Sequence, residues 1–104
     1  MARFDVSENP DASESSHTPY LLDVQNNFID HLNTRAVIPL RTTAAFGMRA
    51  RDLNPIVQVE DESLVLDAAA ICVVPLNALR RPVADLRDAR GTIHGALDTL
   101  FGSY

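Results

Sequence analysis

The sequence predicts a mainly β domain closed by a single C-terminal α-helix, and three observations carry that prediction. Short apolar runs bounded by Pro, Gly, Asn and Asp recur from residue 20 to residue 75, as strands separated by turns require. From Asp85 the apolar period lengthens from two to about three and a half, as a helix with one buried face requires. The chain has 104 residues, 46% of them apolar, which suffices for one core and leaves little for a second. One domain over 1–104 is therefore expected, and a dimer would add buried surface to a small core.

The first strand is expected at 3–6, where Arg3, Phe4, Asp5 and Val6 alternate polar and apolar. Residues 7–19 hold acids, Ser and two Pro with almost nothing to bury, and read as a mobile exposed loop. Asp11 and Glu14 do not make a metal site there, because hard cations need more converging oxygens. In 20–25, Tyr20, Leu22 and Val24 fall on one face and Leu21, Asp23 and Gln25 on the other, as in a half-exposed strand. His31 follows in an Asp/Asn-rich connection, with no second titratable group set beside it by spacing. The next strand is 37–40, where Pro39 argues for an edge or strand end because it donates no ladder hydrogen bond.

Residues 41–53 are weakly patterned and read as a loop with a short helical turn, and Arg49, Arg51 and Phe46 are too few for a nucleic-acid patch. The clearest hairpin is 56–59 and 63–66, joined by the acids Glu60, Asp61 and Glu62. Those acids are charged because turn tips are wet. Residues 69–74 are continuously apolar and read as a strand buried on both faces, which would make Cys72 a buried, inert thiol.

The helix is expected from Asp85, a plausible N-cap, to the C-terminus. Its apolar side holds Leu86, Ala89, Ile93, Ala96, Leu97, Leu100, Phe101 and Tyr104. At its end Phe101 completes the core, or an exposed aromatic tip inserts into a partner, and both hold with Phe101 inside and Tyr104 outside. Arg87, Asp88, His94 and Asp98 point away. Gly91 and Gly95 each cost the helix about 1 kcal/mol relative to Ala, so its stability must come from packing.

Charge and composition exclude several functions. All nine basic residues are Arg, and against 14 acids they leave a net charge of -5, the wrong sign for gripping phosphates unaided. With one cysteine no internal disulfide forms. No run approaches the roughly 20 apolar residues of a membrane span, and no basic start leads into an apolar h-region, so a cytoplasmic protein is expected. Gly-rich phosphate loop, cysteine pair, His-x-x-x-His and Gly-x-Ser-x-Gly are all missing from the sequence. The chain reads as a binding protein with no cofactor and no metal.

Several short runs together resemble the CcdB family of toxin-antitoxin toxins. They are Leu22-Asp23-Val24-Gln25, Ile29-Asp30, Asn33-Thr34-Arg35 and Val37-Ile38-Pro39-Leu40, then Asn54-Pro55-Ile56-Val57, Asp61-Glu62-Ser63, Val73-Val74-Pro75 and Val83-Ala84-Asp85-Leu86. The resemblance spans nearly the whole chain. It implies an SH3-like antiparallel barrel, the CcdB/MazF-like toxin fold, with a small extra sheet, one long C-terminal helix and a two-fold homodimer.

It also implies an action by binding alone: the toxin wedges into the dimerisation region of the DNA gyrase A subunit, trapping the enzyme on cleaved DNA. Phe28, Ile29, Asp98 and Phe101 match the family's gyrase-contact positions, followed by Gly102, Ser103 and Tyr104. The best-known family tail is Trp-Gly-Ile, with Trp as the anchor; here either Tyr104 supplies a replacement ring, or the chain binds gyrase poorly or poisons another target. A CcdA-like antitoxin would neutralise the toxin through a disordered segment lying near Ser7, Glu8, Asp11, Glu14, Phe46 and Arg49. The dimer interface would use Val24, Leu97, Leu100 and Phe101. Toxin and antitoxin would repress transcription together in a plasmid-maintenance type of system, with no direct nucleic-acid contact by the toxin alone. Two other readings stand beside this one: an endoribonuclease toxin on the related barrel, which would need a basic groove, and a non-toxic homologue that binds antitoxin only.

Overall fold

Strands form where period-two patterning meets β-branched residues, and tertiary pairing sets their ends. The computed structural model describes residues 1–27 and 31–102. In chain order its elements are β1 (Asp5–Glu8), β2 (Tyr20–Asp23), β3 (Thr34–Thr42), α1 (Thr43–Phe46), β4 (Ile56–Val59), β5 (Glu62–Leu66), β6 (Cys72–Pro75), β7 (Ala84–Asp85) and α2 (Arg90–Phe101). Short 3-10 turns at Ala68–Ala70, Leu76–Ala78 and Arg87–Ala89 link the later elements.

The described strands form one antiparallel sheet in the order β4-β5-β3-β2-β1-β7, with β6 joined to β3 off that path. The sheet curls into a near-closed barrel with the C-terminal helix against it, the SH3-like arrangement expected above. Strand β3, nine residues long, is the hub. One edge of it pairs with β2 from Val37 to Leu40, while the other takes β6 from Thr34 to Val37 and then β5 from Leu40 to Thr42.

That change of partner explains Pro39, which lies inside this central strand and not at an edge. Asp67 donates its N–H to the Pro39 carbonyl at 3.1 Å, so the Pro39 backbone faces the edge where β6 has ended and β5 begins. The missing proline N–H falls where no ladder bond is called for.

Residues of one parity fill the barrel. Val6, Leu22, Ile38, Leu40, Leu64 and Leu66 are each fully buried there, and Ile93 and Ala96 of α2 seal the same core. Burying a side chain such as Ile93 contributes roughly 1.5–3 kcal/mol, which offsets the two helix glycines. The opposite parity was expected to be half exposed in β2, yet Leu21, Asp23 and Gln25 are all buried. Strand β2 lies between β1 and β3, and Arg35 folds across it to Asp23.

Other expectations shift. Strand β1 starts at Asp5 because Phe4 takes a positive φ of 72°, a turn conformation, and Ser7 lies within it. The acidic hairpin turn consists of Glu60 and Asp61, with φ of 49° and 69°, as a two-residue type I′ connection requires, and Glu62 already belongs to β5. Asp85 ends β7 instead of capping α2, and its carboxylate accepts the Arg87 N–H at 3.2 Å. The run 69–74 is a 3-10 turn followed by the edge strand β6, on which Cys72 is exposed and Val73 is 66% exposed. Apolar continuity here marks an uncovered edge and not a buried strand.

Candidate functional site

The C-terminal end of α2 brings together the described part of one expected contact set. Asp98, Phe101 and Gly102 are all exposed, and Phe101 has 69% of its surface free. At about 100° per residue Phe101 stands about 80° from Ile93 and about 140° from Ala96 around the helix, toward the margin of their face and at the last residue of α2. Of the two readings, Phe101 in the core and an exposed aromatic tip, the first is corrected and Phe101 itself belongs to the tip. Gly102 ends the helix in the left-handed region at φ 67° and donates its N–H to the Asp98 carbonyl at 2.7 Å. This cap fixes the direction in which the chain leaves the helix. Phe28, Ile29, Ser103 and Tyr104 lie outside the described residues.

Of the expected dimer residues, Leu97 and Leu100 are half-buried on the flank of α2, and Val24 is buried in the chain's own core. A different apolar surface is exposed instead. Among the described residues strand β6 pairs only with β3, and Val73, together with Leu76 and Leu32 near its end, faces solvent. Leu76 reaches back to the β2–β3 connection, donating its N–H to the Asn33 carbonyl at 2.7 Å.

Of the residues expected near the antitoxin, Glu8 and Arg49 line two separate grooves. Ser7 is not among those presented, because its side chain is fully buried in β1. Glu8 lines a groove of about 350 Å³ with Pro10, Ser15, Tyr20 and Arg80. Asp11 and Glu14 belong to the same segment, which is a hydrogen-bonded succession of turns and not the loose loop the sequence suggested. Asp11 accepts both the N–H and the hydroxyl of Ser13, at 3.0 and 2.6 Å, and these bonds hold its carboxyl below the usual carboxylate range. The segment is tied to β3, since Thr42 donates to the His17 carbonyl and Arg41 to the Thr18 hydroxyl.

Phe46 is half-buried on α1, held by the Thr42 cap that accepts the Ala45 N–H at 3.3 Å. Beyond it, Arg49 and Arg51 face Thr92, Gly95 and Thr99 of α2 across a second groove of about 510 Å³. Arg49 is steadied by the Asn54 carbonyl at 3.2 Å. A Cβ added at Gly91 or Gly95 would meet nothing within 4 Å among the described residues, so their Gly-x-x-x-Gly spacing does not mark a close packing there.

Tyr20 and Arg80 join this surface unannounced by any local motif. Burial pushes the Tyr20 hydroxyl above the ordinary tyrosine range, and Glu60, Glu62 and Glu8 add to the shift. Glu8 is paired with Tyr20 across β1 and β2, and Arg80 lines the same groove. Among the described residues no group of three or more His, Cys, Asp or Glu is arranged to hold a metal, and no helix is long and apolar enough to cross a membrane. The family model described as CcdB protein matches residues 3–102.

Proposed function

The chain belongs to the CcdB family and is a toxin of that family, and from that premise we propose that it acts as a homodimer that binds the A subunit of DNA gyrase and traps the complex with cleaved DNA. It does so as a single domain over 1–104 and by binding alone. A CcdA-like antitoxin releases the target and joins the toxin in repressing transcription, in the cytoplasm.

The observation that carries the target contact is Phe101, a large aromatic left 69% exposed at the end of the helix that closes the barrel. Large aromatics of this kind are the usual anchors of protein interfaces. Asp98 and Gly102 flank it at the position expected for the family's contact, and Phe28, Ile29, Ser103 and Tyr104 complete the proposed set. The antitoxin would run over Glu8, Asp11 and Glu14 and over the groove beside Phe46 and Arg49.

Support for a homodimer comes from charge and exposure together. The chain carries a net charge of -5, yet residues 68–79 contain no Asp, Glu, Lys or Arg and include the exposed strand β6. Two acidic copies can approach there without opposing like charges, and the bare strand edge gains a partner. Leu97, Leu100 and Phe101 would contribute from α2.

The test is gyrase cleavage and supercoiling with purified protein, beside Phe101→Ala. Cleaved DNA should accumulate with the native chain, and the variant should need roughly 30-fold more protein, the equivalent of an interface anchor of about 2 kcal/mol. The variant should stay folded, since the ring is not in the core, and both proteins are compared at a concentration where sedimentation shows them dimeric. A folded dimer that leaves gyrase untouched would exclude this function, and degraded cellular RNA would point to the endoribonuclease alternative.

A further inference from the structure

A nearly closed barrel leaves two sheet ends facing each other, and here they are β4 and β7. They do not pair among the described residues. Between them lies an open groove of about 410 Å³, lined by Ile56 and Gln58 from one end and by Asp85 and Leu86 from the other. Ile56 and Thr92 line both this groove and the one of about 510 Å³ that holds Arg49 and Arg51. One channel therefore follows the free side of β4, with α2 as its far wall.

The hairpin decides which backbone groups face that channel. Leu66 donates its N–H to the Pro55 carbonyl at 3.0 Å, and along an antiparallel pair successive residues turn their backbone groups to opposite sides. Pro55, Val57 and Val59 thus face β5, while Ile56 and Gln58 turn N–H and C=O outward, where no strand pairs with them among the described residues. Sheet edges are usually guarded by Lys, Pro or a bulge. The run Ile56–Val59 has no Lys or Pro, its register with β5 is unbroken, and Pro55 sits on the paired side, where it guards nothing.

Charge sets this edge apart from β6. Arg49 and Arg51 stand at one end, neither in an ion pair among the described residues, with Asp52 on the same wall. Asp85 and Asp88 line the other end. Because α2 walls the channel, it admits a single extended segment and not the edge of a second barrel.

We propose that the open side of β4 is a docking site for an extended segment of a partner protein. The segment adds as a strand, with an acidic residue against Arg49 and Arg51 and a basic residue against Asp85 and Asp88. Reading it as the antitoxin's segment rests on the function proposed above; the mode of docking does not.

The test uses a blocked peptide of about seven residues, an alternating Thr-Val run with Glu and Arg at opposite ends, titrated into the native chain and followed residue by residue. It should bind saturably below about 1 mM. At saturation the Ile56 and Gln58 amides, bare in the free chain, should exchange at least about tenfold slower. Binding elsewhere slows only amides that already exchange through unfolding, and leaves these two bare. Gln58→Pro removes an outward N–H and keeps the ladder to β5, so it should weaken the peptide at least about tenfold. Arg51→Glu should weaken it about fivefold, and less in high salt.

No saturable binding up to about 1 mM would overturn the proposal, as would binding that leaves Ile56 bare or full affinity in folded Gln58→Pro. Protection of Ile56 and Gln58 that rises with protein concentration alone would put a second copy on the edge and overturn it too. If Gln58→Pro does not fold, Arg51→Glu and exchange in the native chain decide: undiminished affinity or bare amides end the proposal. Neither gyrase nor antitoxin enters the test, so a chain that traps no gyrase fails the proposed function and leaves this site standing.

Discussion

The Ser7 hydroxyl lies buried in β1 with no hydrogen-bond partner among the described residues. A buried polar atom without a partner keeps its desolvation cost, so Ser7→Ala should raise stability by roughly 1 kcal/mol, measured as a shift of the urea midpoint at constant slope. Tyr20 makes a prediction about pH. Its folded pKa is raised, so above the unfolded value the native state holds a proton that the unfolded chain has released. The contribution is fully present below about pH 10 and is lost as pH rises through the folded value. Tyr20→Phe should therefore flatten the alkaline arm of a stability–pH profile and leave the neutral region unchanged. At this scale sequence alone misjudged Cys72, because an apolar neighbourhood in sequence does not say whether anything packs on it.

Helix α2 shows how far an element can be read from its period. The pattern located Ile93 and Ala96 on the buried side, and both are fully buried. It placed the N-cap four residues early, at Asp85 and not Ala89, since Asp85 serves β7 and a 3-10 turn precedes the helix. Open space around Gly91 and Gly95 yields a prediction: Gly95→Ala should stabilise the protein by about 1 kcal/mol, and Gly91→Ala by less because it sits in the first turn. Thermal unfolding with the pair of variants checks both magnitude and order. The hairpin was legible because its turn is local, with every determinant between residues 56 and 66. Strand β6 was not, because exposure of an apolar run depends on elements distant in sequence.

For the molecule as a whole, self-association is the property most open to a direct test. Val73→Glu puts a carboxylate on the uncharged edge of each copy, facing its mate across the two-fold axis of the proposed dimer. Like charges so placed cost several kcal/mol, and dimer affinity should fall at least about a hundredfold. Sedimentation over a concentration series reads this out. The monomer should stay folded, because Val73 is 66% exposed in the isolated chain. Retained dimerisation would move the interface away from β6.

By itself the sequence determined the class of fold, the hairpin, the helix with its core residues and, through dispersed short runs, the family. Each of these depends on period, turn chemistry or residue order, which are local properties of the chain. Only the tertiary structure decided that Pro39 sits inside the hub strand, that Asp23 and Arg35 meet as a buried ion pair, that Val24 belongs to the core and that Phe101 and β6 face outward. These outcomes depend on which strand lies on each side of another and where α2 comes to rest, and such pairings join residues far apart in sequence.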